Sequence, residues 1–221
     1  ATVKPDNATN KKVTWTSSDS TIASVSDTGL VRAGTQAGTT KITATVGDTN
    51  ASITIAVSGQ TDRDVLDALA EKHRSDLADG TYVVASALDG SKALDVSNGS
   101  HDNGANVQLW DSNGTEAQKW TVSHDKKGYA TLTSTGSGKA LDVRYGEAFD
   151  GTNVQQWESN DTRAQKWIAI QDGSSYTLVS ALSPSLVLDV RYGETTNGTN
   201  VQLWTSNNSK AQQWTFTTPL S

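Results

Sequence analysis

Three short stretches decide the fold: KALDV at residues 92–96, VQLW at 107–110 and AQKW at 117–120. Each of them returns twice, at a constant spacing of 47 residues. The later copies are KALDV (139–143), VQQW (154–157), AQKW (164–167), LVLDV (186–190), VQLW (201–204) and AQQW (211–214). A self-repeat at a fixed period is the signature of a repeat architecture. We therefore divide residues 81–221 into the repeats 81–127, 128–174 and 175–221.

Each repeat carries four strand candidates separated by turn sequences. In the first repeat the strands read TYVVAS, KALDV, NVQLW and QKWTVS, and the turns are rich in Gly, Asn, Asp and Ser. A solenoid would need distinct capping ends, yet the first and last repeats are as regular as the middle one. A closed three-fold arrangement is favoured, because closure removes free strand edges.

Residues 1–59 show short alternating strands. Val13 and Trp15 share one face of KKVTWT, and Ile53 and Ile55 share one face of SITIAV. Such strands, separated by Gly, Asp and Asn turns, predict an antiparallel sandwich with one buried face per sheet. The period then changes, and Val65, Leu66, Leu69, Ala70 and His73 form one stripe of a short helix ending before Asp79. We interpret residues 60–80 as a linker whose helix packs on a neighbour.

Composition excludes several classes of function. The 221 residues carry a net charge of −6 and no Cys, so disulfides, a thiolate nucleophile and a zinc–thiolate site are absent. No cluster of Lys and Arg supplies the basic face that a duplex nucleic acid requires. The apolar runs are only a few residues long, so we predict no membrane insertion.

These motifs carry two family resemblances. The pattern LDV…VQLW…AQKW, three times over, resembles the ricin-type lectin family (carbohydrate-binding module family 13), whose fold is the β-trefoil with a Gln-x-Trp in each repeat. NATNKKVTWTSSDSTIASVSDTGLV (7–31) with AGTTKITATV (37–46) resembles the bacterial group 2 immunoglobulin-like domain. Family members usually carry further strands before this segment, so the first module is expected to be N-terminally truncated. The resemblances imply an all-β chain, secreted or on a bacterial cell surface.

The repeats contain two sets of tryptophans. The Gln-x-Trp residues, Trp120, Trp167 and Trp214, are predicted to fill a shared core. The earlier residues, Trp110, Trp157 and Trp204, alternate with the valines of NVQ, so the two side chains point to opposite faces of the strand. If the valines face the core, these rings face outward. A second core layer is the alternative, and a buried ring would weaken a binding role sharply.

The ricin-type resemblance implies a sugar site in each repeat. The Asp of LDV would accept two sugar hydroxyls, the Gln of NVQ would support it, and the Trp would stack on the C–H face of a pyranose. Tyr145 and Tyr192 add a second ring in the loops of the later repeats, which makes those two sites resemble each other and differ from the first. The candidate carbohydrate-binding residues are Asp95, Gln108, Trp110, Asp142, Tyr145, Gln155, Trp157, Asp189, Tyr192, Gln202 and Trp204.

One departure from the family pattern concerns every site. Galactose-binding members commonly have Asn directly before Gln-x-Trp, whereas this chain has Ala117, Ala164 and Ala211 there. Each site therefore lacks one hydrogen bond to a sugar hydroxyl, worth about 1 kcal/mol or more. Either another residue replaces the Asn or the ligand differs. The following glutamines, Gln118, Gln165 and Gln212, are candidates for compensation or for bracing the fold.

No catalytic motif, cofactor or metal site is predicted. The three His do not recur with the repeat, and Asp residues in different repeats are too far apart for glycoside hydrolysis by paired carboxylates. We predict a non-catalytic module that binds galactose or N-acetylgalactosamine glycans, such as mucin O-glycans, and whose other partners are further domains of a parent chain. The alternatives are a structural or protein-binding trefoil, and an accessory fragment of a larger glycosidase.

Overall fold

The computed structural model describes residues 12–34, 36–57 and 61–219. The chain divides into two compact units, Ala1–Thr61 and Asp62–Ser221. Strands dominate both units, and the second also contains a helix, so the chain is all-β as predicted. The domain boundaries placed by sequence at residues 59 and 80 stay predictions.

The first unit contains two small antiparallel sheets. One has the strand order β1-β4-β5 and the other pairs β2 with β3. The strands are β1 (Thr14–Ser17), β2 (Ala23–Val25), β3 (Val31–Ala33), β4 (Gly38–Val46) and β5 (Thr49–Val57). Trp15 lies directly over Gly29, where a Cβ atom would come within 2.6 Å of the indole ring. Glycine is required there by this contact and by its φ of +82°.

One detail of the predicted sandwich is wrong. Ile42 on β4 is buried as expected, but Ile53 on β5 is 60% exposed. Its alternation is that of a half-buried strand, yet no element of the described chain covers this part of the sheet. The predicted truncation concerns the segment at the start of the module, which lies outside the described residues.

The helix α1 (Asp62–His73) opens the second unit. It ends at His73, the last residue of the predicted stripe, and therefore before Asp79 as the sequence predicted. Acidic residues lie in its first turn and basic residues in its last, which complements the helix dipole. Its buried face, Leu66 and Ala70, packs in one apolar cluster with side chains of the second and third repeats: Tyr129, Ile168, Val179, Ala181 and Val187.

The three repeats supply twelve strands between Gly80 and Thr217. The first repeat contains β6 (Gly80–Ser86), β7 (Lys92–Val96), β8 (Val107–Asp111) and β9 (Lys119–His124). The second contains β10 (Ala130–Ser134), β11 (Ala140–Val143), β12 (Val154–Trp157) and β13 (Trp167–Asp172). The third contains β14 (Ser175–Ser180), β15 (Leu186–Val190), β16 (Val201–Thr205) and β17 (Trp214–Thr217).

The outer strands of the repeats close into a barrel. β6 pairs with β9, β9 with β10, β10 with β13, β13 with β14, β14 with β17, and β17 with β6 again. The inner strands form the hairpins β7–β8, β11–β12 and β15–β16, and each hairpin joins the barrel through its first strand. This is the β-trefoil that the closed three-fold pattern predicts, and closure leaves the barrel no free edge.

Two three-fold sets hold the centre together. The Gln-x-Trp rings are fully buried, and each donates its indole N–H to a leucine carbonyl of its own repeat, as Trp120 does to Leu94 at 3.0 Å. Their prediction as core residues is confirmed. Asn106, Asn153 and Asn200 form a closed ring in which each side-chain amide donates to the next, at 2.8–3.0 Å. The ring joins equivalent positions of all three repeats.

The packing of α1 predicts that it stabilises the repeat unit. Leu66→Ala removes a fully buried side chain and should lower the free energy of unfolding by roughly 2–4 kcal/mol. The matched control Lys72→Ala alters an exposed position of the same helix and should change it by less than about 0.5 kcal/mol. Chemical unfolding followed by near-UV circular dichroism measures both. Equal effects of the two variants would mean that the helix does not contribute to the core.

Candidate functional site

Three open cavities lie at equivalent positions, one in each repeat. Site 1 contains Asp95, Gln108 and Trp110, and its cavity volume is about 430 Å³. Site 2 contains Asp142, Gln155 and Trp157, with about 530 Å³. Site 3 contains Asp189, Gln202 and Trp204, with about 390 Å³. The structure therefore brings together, within each repeat, the Asp, Gln and Trp that the sequence selected.

Strand alternation assembles each site from a single hairpin. In the first repeat, Leu94 and Val107 point into the core and are buried. Their neighbours Asp95 and Gln108 consequently point the other way, and they are paired across β7 and β8. The same register pairs Asp142 with Gln155 and Asp189 with Gln202. The apolar requirement of the core thus fixes which side chains reach the cavity.

Two glutamine amides hold each carboxylate. The Nε2 of Gln108 donates to Oδ1 of Asp95 at 3.1 Å, and the Nε2 of Gln118 donates to Oδ2 at 3.1 Å. The second glutamine belongs to the Gln-x-Trp motif near the end of the repeat. The corresponding pairs are Gln155 and Gln165 on Asp142, and Gln202 and Gln212 on Asp189. We call this arrangement the carboxylate clamp.

The clamp covers its carboxylate more than the sequence suggested. The three aspartates are only 6%, 5% and 5% exposed, although they line the cavities. Burial raises the pKa of Asp95, Asp142 and Asp189 above its ordinary value, and the glutamine hydrogen bonds partly oppose that rise. The aspartates are therefore less exposed than the tryptophans beside them, because the amides that orient each carboxylate also shield it.

The tryptophans of the sites face outward, as strand alternation predicts. Trp110, Trp157 and Trp204 are 38%, 39% and 37% exposed, whereas Val107, Val154 and Val201 are fully buried. The alternative of a second core layer is wrong for these rings. In each repeat the tryptophan and the aspartate line the same cavity, so every repeat offers a flat apolar surface beside a hydrogen-bond acceptor.

The glutamine of Gln-x-Trp does two jobs in each repeat. Besides holding the carboxylate, the Nε2 of Gln118 donates to the main-chain oxygen of Asp111 at 2.9 Å. Its Oε1 accepts from the main-chain N–H of Asn113 at 2.9 Å. It therefore braces the fold, as the sequence suggested, and it also supports the carboxylate of the site.

Sequence reasoning missed one set of cavity residues. Asn113 lines site 1, and its Oδ1 accepts from the main-chain N–H of Thr115 at 3.0 Å. Its Nδ2 hydrogen-bonds no group in the described part of the chain. Asn160 and Asn207 occupy the same place in sites 2 and 3. The 47-residue spacing of these three asparagines was the signal that could have identified them.

The alanines that depart from the family pattern also line the cavities. Ala117, Ala164 and Ala211 lie in sites 1, 2 and 3, where they present a methyl group and no donor. The free amide of Asn113, Asn160 or Asn207 reaches the same cavity from the preceding turn. Each site is therefore lined by an asparagine side-chain amide in spite of the alanine.

Sites 2 and 3 resemble each other and differ from site 1 in the turn after the Asp. Tyr145 lines site 2 and Tyr192 lines site 3, and both are 77% exposed. Asn98 takes the equivalent position in site 1. The difference expected between the first site and the other two is present in the structure.

Among the described residues, no group of three or more His, Cys, Asp or Glu could hold a metal ion. No helix there is long and apolar enough to span a bilayer.

Comparison with known proteins gives two family matches. Residues 116–204 and 163–221 match a ricin-type beta-trefoil lectin domain-like family. Residues 1–57 match the bacterial Ig-like domain (group 2). No curated protein sequence matches the chain.

Solved structures resemble the repeat unit. The designed three-fold symmetric protein ThreeFoil is 36% identical, with a TM-score of 0.60 over 62% of this chain and 98% of its own. An exo-beta-1,3-galactanase from Clostridium thermocellum is 32% identical, with a TM-score of 0.59, and the match spans 62% of this chain and only 29% of the galactanase. The Macrolepiota procera ricin B-like lectin, solved with lactose, is 26% identical over 63% of this chain and 96% of its own, with a TM-score of 0.55.

The carboxylate clamp predicts a sharp contrast between neighbouring glutamines. Gln212→Ala removes hydrogen bonds to Asp189, to the carbonyl of Thr205 and to the N–H of Asn207, and should cost roughly 2–4 kcal/mol of unfolding free energy. The adjacent Gln213→Ala removes a side chain for which no hydrogen bond is present in the described chain, and should cost less than about 1 kcal/mol. Guanidinium unfolding measures both. A Gln212→Ala protein as stable as Gln213→Ala would contradict the structural role.

Proposed function

The chain belongs to the ricin-type beta-trefoil lectin-like family, with a bacterial Ig-like domain (group 2) ahead of its repeats, and from this we propose that it is a non-catalytic carbohydrate-binding module. The proposed ligands are glycans that carry galactose or N-acetylgalactosamine, and the proposed binding sites are sites 1, 2 and 3. The observation that carries the proposal is the pairing, in each cavity, of a clamped carboxylate with an exposed tryptophan.

The chemistry of a pyranose fits this pair. One face of galactose consists of C–H groups, and an aromatic ring is the surface on which such a face stacks. The neighbouring hydroxyls are donors, and an ionised carboxylate accepts them in strong, charge-assisted hydrogen bonds. The clamp uses one acceptor position of each carboxylate oxygen, and each oxygen keeps further lone-pair capacity for a sugar hydroxyl.

The free asparagine amide supplies the remaining polar contact. We propose that the Nδ2 of Asn113, Asn160 or Asn207 donates to a sugar hydroxyl in place of the Asn that the family pattern carries before Gln-x-Trp. The main-chain N–H of each asparagine donates to the same glutamine that holds the carboxylate. The position of the asparagine relative to the carboxylate is therefore fixed. Fixed partners reduce the ordering cost of binding.

The choice of galactose-type sugars draws on the similar structures. The Macrolepiota procera lectin is described in complex with lactose, and the Clostridium thermocellum protein is described as a galactanase. These descriptions belong to those proteins, and they support the proposal here only because the chain shares the fold and the identities given above. Three sites on one body would bind clustered or branched glycans, such as mucin O-glycans, with avidity above that of one site.

The alternatives are weaker on the same geometry. A purely structural or protein-binding trefoil would have no need to keep three tryptophans open beside three clamped carboxylates. Glycoside hydrolysis by paired carboxylates needs two carboxyl groups flanking the bond, and Asp142 and Asp189 are the only carboxylates that line sites 2 and 3 among the described residues. Site 1 is also lined by Glu116, whose carboxylate is held by Lys119 and Thr135. We propose that the module is part of a secreted or surface-exposed bacterial protein. In that protein the Ig-like domain is a spacer, and further domains are its partners.

The proposed sites predict the effect of removing each carboxylate. Asp95→Ala, Asp142→Ala and Asp189→Ala should each remove about one third of the galactose-binding capacity, and the triple variant should lose binding on a glycan array. Asp172→Ala alters an exposed aspartate outside the three cavities and should bind as the parent chain does. Near-UV circular dichroism checks that every variant keeps its fold. Undiminished binding by the triple variant would refute the assigned sites.

The raised pKa values predict a pH dependence of binding. A sugar hydroxyl donates to the ionised carboxylate, so affinity should be constant at neutral pH and fall as the pH decreases through the raised pKa of Asp95, Asp142 and Asp189. The fall should begin at a higher pH than the ordinary pKa of about 3.9 would give. For stability the sign is opposite. A raised folded pKa makes the contribution of these groups greatest at low pH, and it is lost as the pH rises.

Carboxylate titration by NMR, with and without galactose, tests this prediction. Asp67 is the internal control, because its hydrogen bonds with Lys127 and Tyr129 lower its pKa. We expect the three site aspartates to titrate above Asp67, and galactose to lower their pKa values. Site aspartates that titrate below the ordinary value would be inconsistent with the buried clamp.

A further inference from the structure

Two tyrosines occupy a backbone conformation that suits them poorly. Tyr145 and Tyr192 have φ values of +58° and +57°. Bulky residues rarely adopt this left-handed region, whereas asparagine tolerates it. In the first repeat the same turn has Asn98, with a φ of +57°. The backbone shape is therefore common to all three turns, and two of them contain a tyrosine against its preference.

Burial does not explain these tyrosines. Both rings are 77% exposed, so neither gains core packing for its strain. Instead each ring is fixed by the arginine before it. The guanidinium carbon of Arg144 lies 4.9 Å from the centre of the Tyr145 ring, and its Nη2 donates to the tyrosine hydroxyl at 3.2 Å. Arg191 holds Tyr192 with the same two distances.

The fixed ring belongs to the cavity. Tyr145 lines site 2 together with Trp157 and Asp142, and Tyr192 lines site 3 together with Trp204 and Asp189. The tyrosine comes from the turn after the Asp-bearing strand, while the tryptophan comes from the end of the partner strand. Sites 2 and 3 thus each offer a tryptophan and a tyrosine ring, whereas site 1 offers its tryptophan ring and the smaller imidazole of His101. Strain that persists at an exposed position is characteristic of a functional site.

The far wall of the cavity differs in the same way. Leu182 borders site 2 and Leu88 borders site 3, each contributed by another repeat. The corresponding wall of site 1 is small and polar, with Ser134, Gly136 and Ser137. Apolar surface beyond the Asp–Trp pair is therefore present in sites 2 and 3.

We propose that sites 2 and 3 bind two consecutive sugar units, the first on the Asp–Trp pair and the second against the tyrosine, whereas site 1 binds a single terminal sugar. This inference rests on the proposed function, since it assigns a second subsite to the same cavities. The tyrosine is then a specificity-determining residue for the length of the glycan. Its ring stacks on the second sugar, and the arginine holds the ring in place before the ligand arrives.

The experiment uses the full chain with Asp95→Ala, so that sites 2 and 3 alone bind. Into this background we introduce Tyr145→Asn and Tyr192→Asn, which restore the residue type of site 1. Titration calorimetry with galactose and with the disaccharide galactosyl-β-1,3-galactose gives both affinities. The paired substitution should lower the affinity for the disaccharide roughly five- to tenfold more than the affinity for galactose. Since asparagine suits the turn, the unfolding midpoint should not fall.

Two further variants complete the test. Phe149→Ala removes an exposed aromatic ring of the same loop that lines none of the three cavities, and should leave the ratio of the two affinities unchanged. The reverse change, Ser97→Arg with Asn98→Tyr in a chain whose other two sites are silenced, should raise the preference of site 1 for the disaccharide.

The outcomes are distinct. Unchanged affinities for both galactose and the disaccharide in the Tyr→Asn protein would overturn the second subsite while leaving the sugar sites intact. An equal loss of galactose and disaccharide would mean that tyrosine and tryptophan enclose one sugar, which also overturns it. If neither the parent chain nor the Asp95→Ala chain bound either sugar, the proposed function itself would be contradicted, and this inference with it.

Discussion

A carboxylate held between two glutamine amides, repeated three times, is the interaction on which the sites depend. Leaving a buried charge without partners is costly, so the aspartate can remain at the base of a cavity only because both oxygens accept hydrogen bonds. The two glutamines come from different parts of the repeat, and one of them, Gln118 in the first repeat, also fixes the turn that precedes it. The geometry of the site is consequently part of the fold, and each cavity is assembled before any ligand enters.

Three-fold closure gives the arrangement its rigidity. The barrel returns from β17 to β6, and the asparagine ring links equivalent positions of the repeats. Each repeat contributes equivalent side chains to the shared core, so the buried leucine, valine and tryptophan recur at a constant spacing. What varies lies in the exposed turns, where repeat 1 has Asn98 and the others have tyrosine. Because the hairpins are alike and the turns differ, the three sites share the Asp, Gln and Trp and differ in the further residues that line each cavity.

Much of this could be predicted from the sequence because it depends on period. The 47-residue spacing and the alternation of Val107 with Trp110 determine which face is buried, and the outward rings follow from that alternation. The burial of Asp95 could not be predicted in the same way, since it depends on where the long side chain of Gln118 points from the 3-10 turn (Glu116–Gln118) before β9. Asn113 was missed because asparagine is a common turn residue, and its Oδ1 does accept from the main-chain N–H of Thr115. Its recurrence every 47 residues nevertheless indicated a role shared by the three repeats.

The errors lie where local pattern competes with tertiary context. The alternation in β5 predicts a buried Ile53, but exposure depends on what covers the sheet, which no pattern within the strand reports. By contrast, the stripe of α1 predicts the helix correctly, and the helix ends before Asp79 as expected. The role of the cavities in binding remains a proposal that rests on their chemistry.

The most direct measurement is a crystal structure of the chain soaked with galactose. We predict a sugar whose hydroxyls donate to the clamped carboxylate of Asp142, whose C–H face lies against Trp157 and whose third polar contact comes from Asn160. Equivalent density is expected in the other two cavities. Galactose bound elsewhere on the surface, or absent from all three cavities at saturating concentration, would contradict the assignment of the carboxylate clamp as a sugar site.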